Sequence, residues 1–132
     1  MLQLKDVSAA PSPFCVLIVD DQAPIRALLR AALTPTGASC VEAERPAGAL
    51  DTLQEKRPDL VFLDVYMDGS SSGLEFCRYL KTLADAPYIC LMSSLGRQKD
   101  ISAGKQAGAD SYLVKPFPLP ELDRVIQVSL AR

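Results

Sequence analysis

Five short apolar runs recur along this chain, and a stretch with helical spacing follows each one. "FCVLIV" (14–19) is continuously apolar, and "LVFLD" (60–64) and "YICLMS" (88–93) are apolar up to their last residue. That pattern belongs to strands covered on both faces. "ASCVEA" (38–43) alternates as a strand does, and "SYLV" (111–114) is a short fifth run. After the first run, Ile25, Leu28, Leu29, Ala32 and Leu33 repeat at helical spacing, Pro24 suits a first helical turn, and "TPTG" (34–37) stops the helix. Further helices are predicted over 46–56, 74–84 and 97–108, and "GSSSG" (69–73) reads as a loop. Leu122, Val125, Ile126 and Leu130 mark one face of a last helix. Strand and helix thus alternate five times. Such a chain folds as α/β, a doubly wound five-stranded parallel sheet with helices on both faces and right-handed crossovers.

Length and composition fit one such unit. A chain of 132 residues suggests one domain with a real core. Residues 1–13 read as an N-terminal tail ending at Pro11 and Pro13, and 14–132 as the domain. The net charge of −2, without a Lys/Arg run, argues against direct nucleic-acid binding. No apolar run reaches the roughly 20 residues of a membrane span, and the N-terminus has no signal-peptide core, so the expected location is cytoplasmic. Cys15, Cys40, Cys77 and Cys90 lack CxxC spacing and read as reduced thiols in the core. There is no histidine, which removes Ser-His-Asp, Cys-His and His-ligated zinc chemistry.

In an open parallel sheet, ligands collect outside the carboxyl ends of the strands. Asp20 and Asp21 follow the first strand, Asp64 ends the third, Ser93 and Ser94 close the fourth, and Lys115-Pro116 follows the fifth. The second ends near Glu42 and Glu44, which have no evident role. Three carboxylates brought together stay ionised only beside cations. Lys115 supplies one, and a divalent metal is the natural second. All-oxygen donors select Mg²⁺ or Mn²⁺. With a hydroxyl and an ammonium alongside, the set suits phosphoryl chemistry with a carboxylate nucleophile. Taken singly, each residue has a plainer use. A strand-end aspartate usually caps the next helix, and Asp21 is expected to do so as well as bind metal. A lone serine there is a loop hydroxyl, and a lone lysine is solvated. The ordered set at successive strand ends is what outweighs those uses.

On "VLIVDDQ" (16–22), "RPDLVFLDVYM" (57–67), "LMSS" (91–94) and "AGADSYLVKPF" (107–117), the chain resembles the response-regulator receiver domains of two-component signalling. The resemblance covers essentially all of 14–132. The spacings match too: Asp64 lies 43 residues after Asp21, and Lys115 lies 22 after Ser93. It implies the flavodoxin-like strand order 2-1-3-4-5. It implies that Asp64 accepts a phosphoryl group from a sensor histidine kinase or phosphotransfer protein. Asp21 and Asp64 would ligate Mg²⁺ directly, Asp20 largely through water, and Tyr66 through its backbone carbonyl. Lys115 and Ser93 would contact phosphoryl oxygens, and Tyr112 would be an aromatic switch partner of Ser93. The Lys115-Pro116 bond would be cis. The domain would be a two-state switch and not an enzyme beyond its own phosphotransfer and slow dephosphorylation. Its output would be altered affinity for a partner, often a second copy of the domain. The last helix closes at Ala131-Arg132 without a clear cap or linker, which leans toward a segment of a longer regulator.

Three departures from the family pattern stand out. Asp68-Gly69 follows Met67 where receivers commonly carry proline, and the loop to Gly73 is one residue longer. Ser94 replaces a small apolar residue. Tyr66 and Leu95 occupy positions that govern access of the hydrolytic water. Three rival readings stay open: a pseudo-receiver acting as a phosphorylation-independent interaction module, an aspartyl-phosphate phosphatase, and a nucleotide-binding flavodoxin-like domain. The intact Asp20, Asp21, Asp64, Ser93 and Lys115 set speaks against the first. A missing cap and acid/base aspartate speak against the second, and a missing Gly-rich loop against the third.

Overall fold

The computed structural model describes residues 14–132, so the tail expected over 1–13 lies outside the described residues. The elements run β1 (Cys15–Val19), α1 (Ala23–Leu33), β2 (Ser39–Ala43), α2 (Pro46–Glu55), β3 (Leu60–Asp64), α3 (Ser72–Lys81), β4 (Tyr88–Ser93), α4 (Gln98–Gln106), β5 (Ser111–Val114) and α5 (Leu119–Ala131). All strand pairs are parallel, and the sheet order is β2-β1-β3-β4-β5. The order is the one the resemblance implied.

Alternation along each strand divides the core in two. Val16, Ile18, Leu60, Phe62, Cys90, Met92 and Leu113 face α1 and α5, where they meet Leu29, Leu33, Leu122, Val125 and Ile126. Leu17, Val19, Val61, Leu63, Ile89 and Leu91 face the other way, onto Ala49, Phe76, Cys77 and Leu80. Every residue of β1 and β3 is buried. That is why those runs carry no polar alternation.

Helix ends differ from the sequence reading for local reasons. The helix expected over 74–84 begins at Ser72, because Gly73 sits directly against the end of β3 and its N–H bonds Val65 O at 3.0 Å. It ends at Lys81, where the Thr82 hydroxyl bonds Tyr79 O at 2.6 Å and Leu83 N–H reaches only to Leu80 O. The helix expected over 97–108 is trimmed to Gln98–Gln106, with Gly108 turning out at φ +99°. "TPTG" stops α1 as read: Thr34–Thr36 form a 3-10 turn, and Gly37 adopts φ +75°. Glycine takes that left-handed conformation without penalty.

The cysteines are free thiols, with Cys15, Cys77 and Cys90 buried. Burial pushes the Cys77 thiol up to about 11 and Cys90 to about 12, so both stay protonated and act as small hydrophobes. Among the described residues, no helix is long and apolar enough to cross a membrane.

Candidate functional site

The chain leaves each strand of the sheet at the same edge, so residues far apart in sequence meet there. Carboxylate oxygens of Asp20, Asp21 and Asp64 lie within 4.8 Å of one another. Asp20 is fully buried and Asp64 nearly so, while Asp21 is exposed at the mouth. Backbone bonds hold the rim in place: Val65 N–H to Met92 O at 2.9 Å, and Lys115 N–H to Ser93 O at 2.7 Å. The Lys115-Pro116 bond is cis, as the resemblance implied.

Lys115 Nζ reaches Asp20 Oδ2 at 2.9 Å and Asp64 Oδ2 at 3.5 Å, and donates to Gln22 Oε1 at 3.3 Å. Its side chain is only 14% exposed, so it is a site cation and not a solvated lysine. Gln22 was not singled out from sequence, although it stands in the quoted "DDQ". Its backbone N–H also bonds Asp20 Oδ1 at 2.8 Å.

One carboxylate cannot share this corner comfortably. Burial, reinforced by the Asp20 charge, raises the Asp64 carboxyl from 3.8 to about 6; Lys115 and the Tyr66 backbone N–H pull the other way, and Asp21 adds to the rise. Three carboxylates against one ammonium leave an excess negative charge with hard oxygen donors around it. That donor set fits a divalent cation such as Mg²⁺. The three aspartates border or underlie a pocket of about 290 Å³ that Tyr66, Asp68, Gly69, Ser93, Ser94 and Lys115 help to line. A larger depression, about 640 Å³, lies among Phe14, Asp59, Pro87 and Arg132, away from these residues. There Asp59 is already engaged by the Cys15 N–H at 2.8 Å.

Ser93 is buried, and its Oγ accepts the Leu95 N–H at 3.0 Å. The Tyr112 hydroxyl donates to Leu95 O at 2.7 Å. Ser93 and Tyr112 therefore grip the two sides of the same residue. Burial raises the Tyr112 hydroxyl, which keeps it a donor. Tyr66 is exposed on the pocket wall.

Two expectations need correction. Asp21 does not cap α1: Gln22 holds that position and no side chain caps the helix. Its exposed carboxylate turns instead toward the acidic cluster. Glu42, which seemed idle, anchors the edge strand to α1 through Arg26 at 3.1 Å and through Arg30. The spacing of Arg26 and Arg30 on one helix face was the available signal. The Asp68-Gly69 departure is also explained in form. Met67 and Ser70 bond each other's backbone at 3.1 and 3.2 Å, with Asp68 at φ +54° and Gly69 at φ +76° between them. Two positive φ angles in an Asp-Gly hairpin make a type I′ turn.

Comparison with known proteins follows this geometry. The family model for the response regulator receiver domain matches residues 16–127. The phosphate regulon transcriptional regulatory protein PhoB of Pseudomonas aeruginosa is 38% identical over 120 residues, covering 89% of this chain and 52% of that protein. The response regulator MprA of a Mycobacterium species is 41% identical over 110 residues, covering 83% and 47%. The chain therefore spans about half the length of the curated relatives it matches. The structure of chemotaxis protein CheY4 from Vibrio cholerae superposes with a TM-score of 0.79 at 28% identity, covering 89% of this chain and 98% of that one. The receiver domain of NtrX from Brucella abortus gives 0.79 at 28%, covering 88% and 98%. Receiver domains are phosphoacceptor switches of two-component systems rather than ordinary enzymes, and they work with histidine kinases or phosphotransfer proteins. Sheet order, strand-end acids and family match agree, and the chain belongs to the response regulator receiver domain family.

Proposed function

We propose that this chain is a phosphorylation-dependent signalling switch that takes its phosphoryl group on Asp64, with Mg²⁺, from a histidine kinase or phosphotransfer protein. The observation that carries the proposal is the meeting of Asp20, Asp21, Asp64, Ser93 and Lys115 at one end of the sheet. We take residues 14–132 as the receiver unit. Asp21 and Asp64 would hold Mg²⁺ through their carboxylates, Asp20 largely through water, and Tyr66 through its backbone carbonyl; Mn²⁺ fits the same donors. When bound, the metal supplies positive charge to the phosphoryl oxygens.

In the transfer, an Asp64 oxygen attacks the phosphorus of the donor phosphohistidine. The P–N bond breaks, and the imidazole leaves with its electron pair. Lys115 already sits between Asp20 and Asp64, so a small movement brings its ammonium onto a phosphoryl oxygen. Ser93 would donate its hydroxyl to a second oxygen. Its Oγ then turns from the Leu95 N–H, and Tyr112 loses the partner that shares its hold on Leu95. The face formed by α4, β5 and α5 repacks, and affinity for a partner changes.

Incubation with acetyl phosphate and Mg²⁺, followed by intact mass, tests the proposal. One acid-stable, base-labile adduct that a chelator abolishes is expected. No adduct would leave an interaction module with the receiver fold and no phosphotransfer.

A further inference from the structure

The Asp68-Gly69 hairpin forms one wall of the pocket. The turn's own backbone bonds join only Met67 and Ser70. Asp68 and Gly69 at its tip are exposed. One group reaches across to it. Arg45, in the loop between β2 and α2, places Nε 2.5 Å from Asp68 Oδ2 and Nη2 3.2 Å from Asp68 Oδ1. Nε and Nη2 each donate to a different carboxylate oxygen, a side-on planar fork that arginine forms and lysine cannot.

We propose that Arg45 is a positioning residue, which clasps the Asp68-Gly69 hairpin so that the wall it forms holds its shape around the metal. The inference rests on the metal-and-phosphoryl reading of the same pocket.

Three observations support it. First, the acceptor is placed deliberately. Asp68 adopts φ +54°, a conformation that aspartate tolerates far better than branched or bulky residues do. There its carboxylate is offered to a loop 23 residues away in sequence. Second, the hairpin is coupled to the reacting carboxylate through a short path. Met67 follows Tyr66, which lines the same pocket as Asp64 two residues earlier in the chain. Tyr66 is also the residue whose carbonyl would meet the metal. Tilting the hairpin therefore moves the residue whose carbonyl the site would use. Third, the pair is matched in charge. The Arg45 guanidinium and the Asp68 carboxylate form an ion pair, Nε to Oδ2 at 2.5 Å. Both side chains are about half exposed, so single exposed pairs of this kind are weak unless the geometry is bidentate. The expected effect is correspondingly small, and it needs a design that separates position from charge.

Arg45 also feels the Glu44 and Asp21 charges. If Arg45 acted only as a charge near the acidic cluster, Arg45→Gln would tighten divalent binding and Asp68→Asn would weaken it. A clasp predicts the same sign for both. Mn²⁺ binding measured by electron paramagnetic resonance, on the full chain at fixed ionic strength, should weaken about two- to threefold in each single variant. The double variant should be no weaker than the worse single, as a broken pair requires. Arg45→Lys, which keeps the charge and loses the fork, should fall between wild type and Arg45→Gln. Amide exchange in metal-free protein gives a second readout. Met67 and Ser70 amides should exchange faster in both single variants. Opposite signs in the two single variants, or additive losses, would overturn the clasp. So would unchanged amide exchange. Wild-type protein that binds no Mn²⁺ would defeat the metal reading instead, while the exchange measurement would still decide whether the clasp orders the hairpin.

Discussion

Asp64 is held at a cost, and the cost has a sign that can be measured. Burial first, then the Asp20 charge, lifts its carboxyl from 3.8 to about 6. The folded chain therefore binds this proton more tightly than the unfolded chain does. Between those two values the native state carries more protons, so stability falls as pH rises through the window, and the full penalty remains above the folded value. The gap from 3.8 to about 6 corresponds to about 3 kcal/mol at about 1.36 kcal/mol per pH unit. Repulsion shared with Asp20 and Asp21, and water at the pocket mouth, reduce this to about 1–2 kcal/mol. Asp64→Asn keeps the shape and removes the charge. In urea unfolding with a chelator present, the variant should be more stable than wild type by that amount near about pH 8, and the difference should shrink toward zero near about pH 4. On the proposed reading Mg²⁺ binds the folded aspartates and not the unfolded chain, so it should stabilise wild type more than the variant. A variant less stable than wild type near about pH 8, or a difference that ignores pH, would refute the reasoning.

Other perturbations reach neighbouring parts of the same corner. Lys115→Ala leaves buried Asp20 and Asp64 without their shared cation, and should lower metal-free stability by about 2–4 kcal/mol in urea titration; Mg²⁺ should restore part of the loss, and an unchanged midpoint would count against the ion pairing. Gly73→Ala would set a Cβ 2.0 Å from the Asp64 carbonyl oxygen and 2.7 Å from Val65 Cα, both backbone. Neither can yield without moving the end of β3, so a loss of at least about 2 kcal/mol is expected, read by thermal unfolding. Tyr66→Asn opens the exposed wall of the pocket and should shorten the aspartyl-phosphate lifetime about threefold or more, about 0.6 kcal/mol in barrier height; timed dephosphorylation with an unchanged half-life would reject that role for the ring.

How much of this was legible in the sequence depended on how local each cause was. β1 and β3 were readable because complete burial leaves no polar residue inside them before the terminal Asp64. Asp20, Asp21, Asp64, Ser93 and Lys115 could be grouped because a parallel sheet brings successive carboxyl ends to one rim. The ends of α3 were not readable: Gly73 begins the helix by pressing against β3, and Thr82 ends it with a side-chain bond. Asp21 looked like a helix cap, yet the turn places Gln22 there. The Glu42 ion pairs and the Arg45–Asp68 clasp join segments that touch only after the sheet has formed. "DG" after Met67 did carry a hairpin signal, and the type I′ turn gives the departure from the family pattern a physical form.

The assignment of Asp64 as phosphoacceptor is tested most directly by locating the phosphoryl group. Protein treated with acetyl phosphate and Mg²⁺ is reduced with borohydride, which converts an aspartyl phosphate to homoserine, and the residue is identified by peptide mass spectrometry. Homoserine at position 64, absent from Asp64→Asn and from chelator-treated protein, is the predicted result. Homoserine at Asp20 or Asp21, or a covalent adduct that persists in Asp64→Asn, would contradict it.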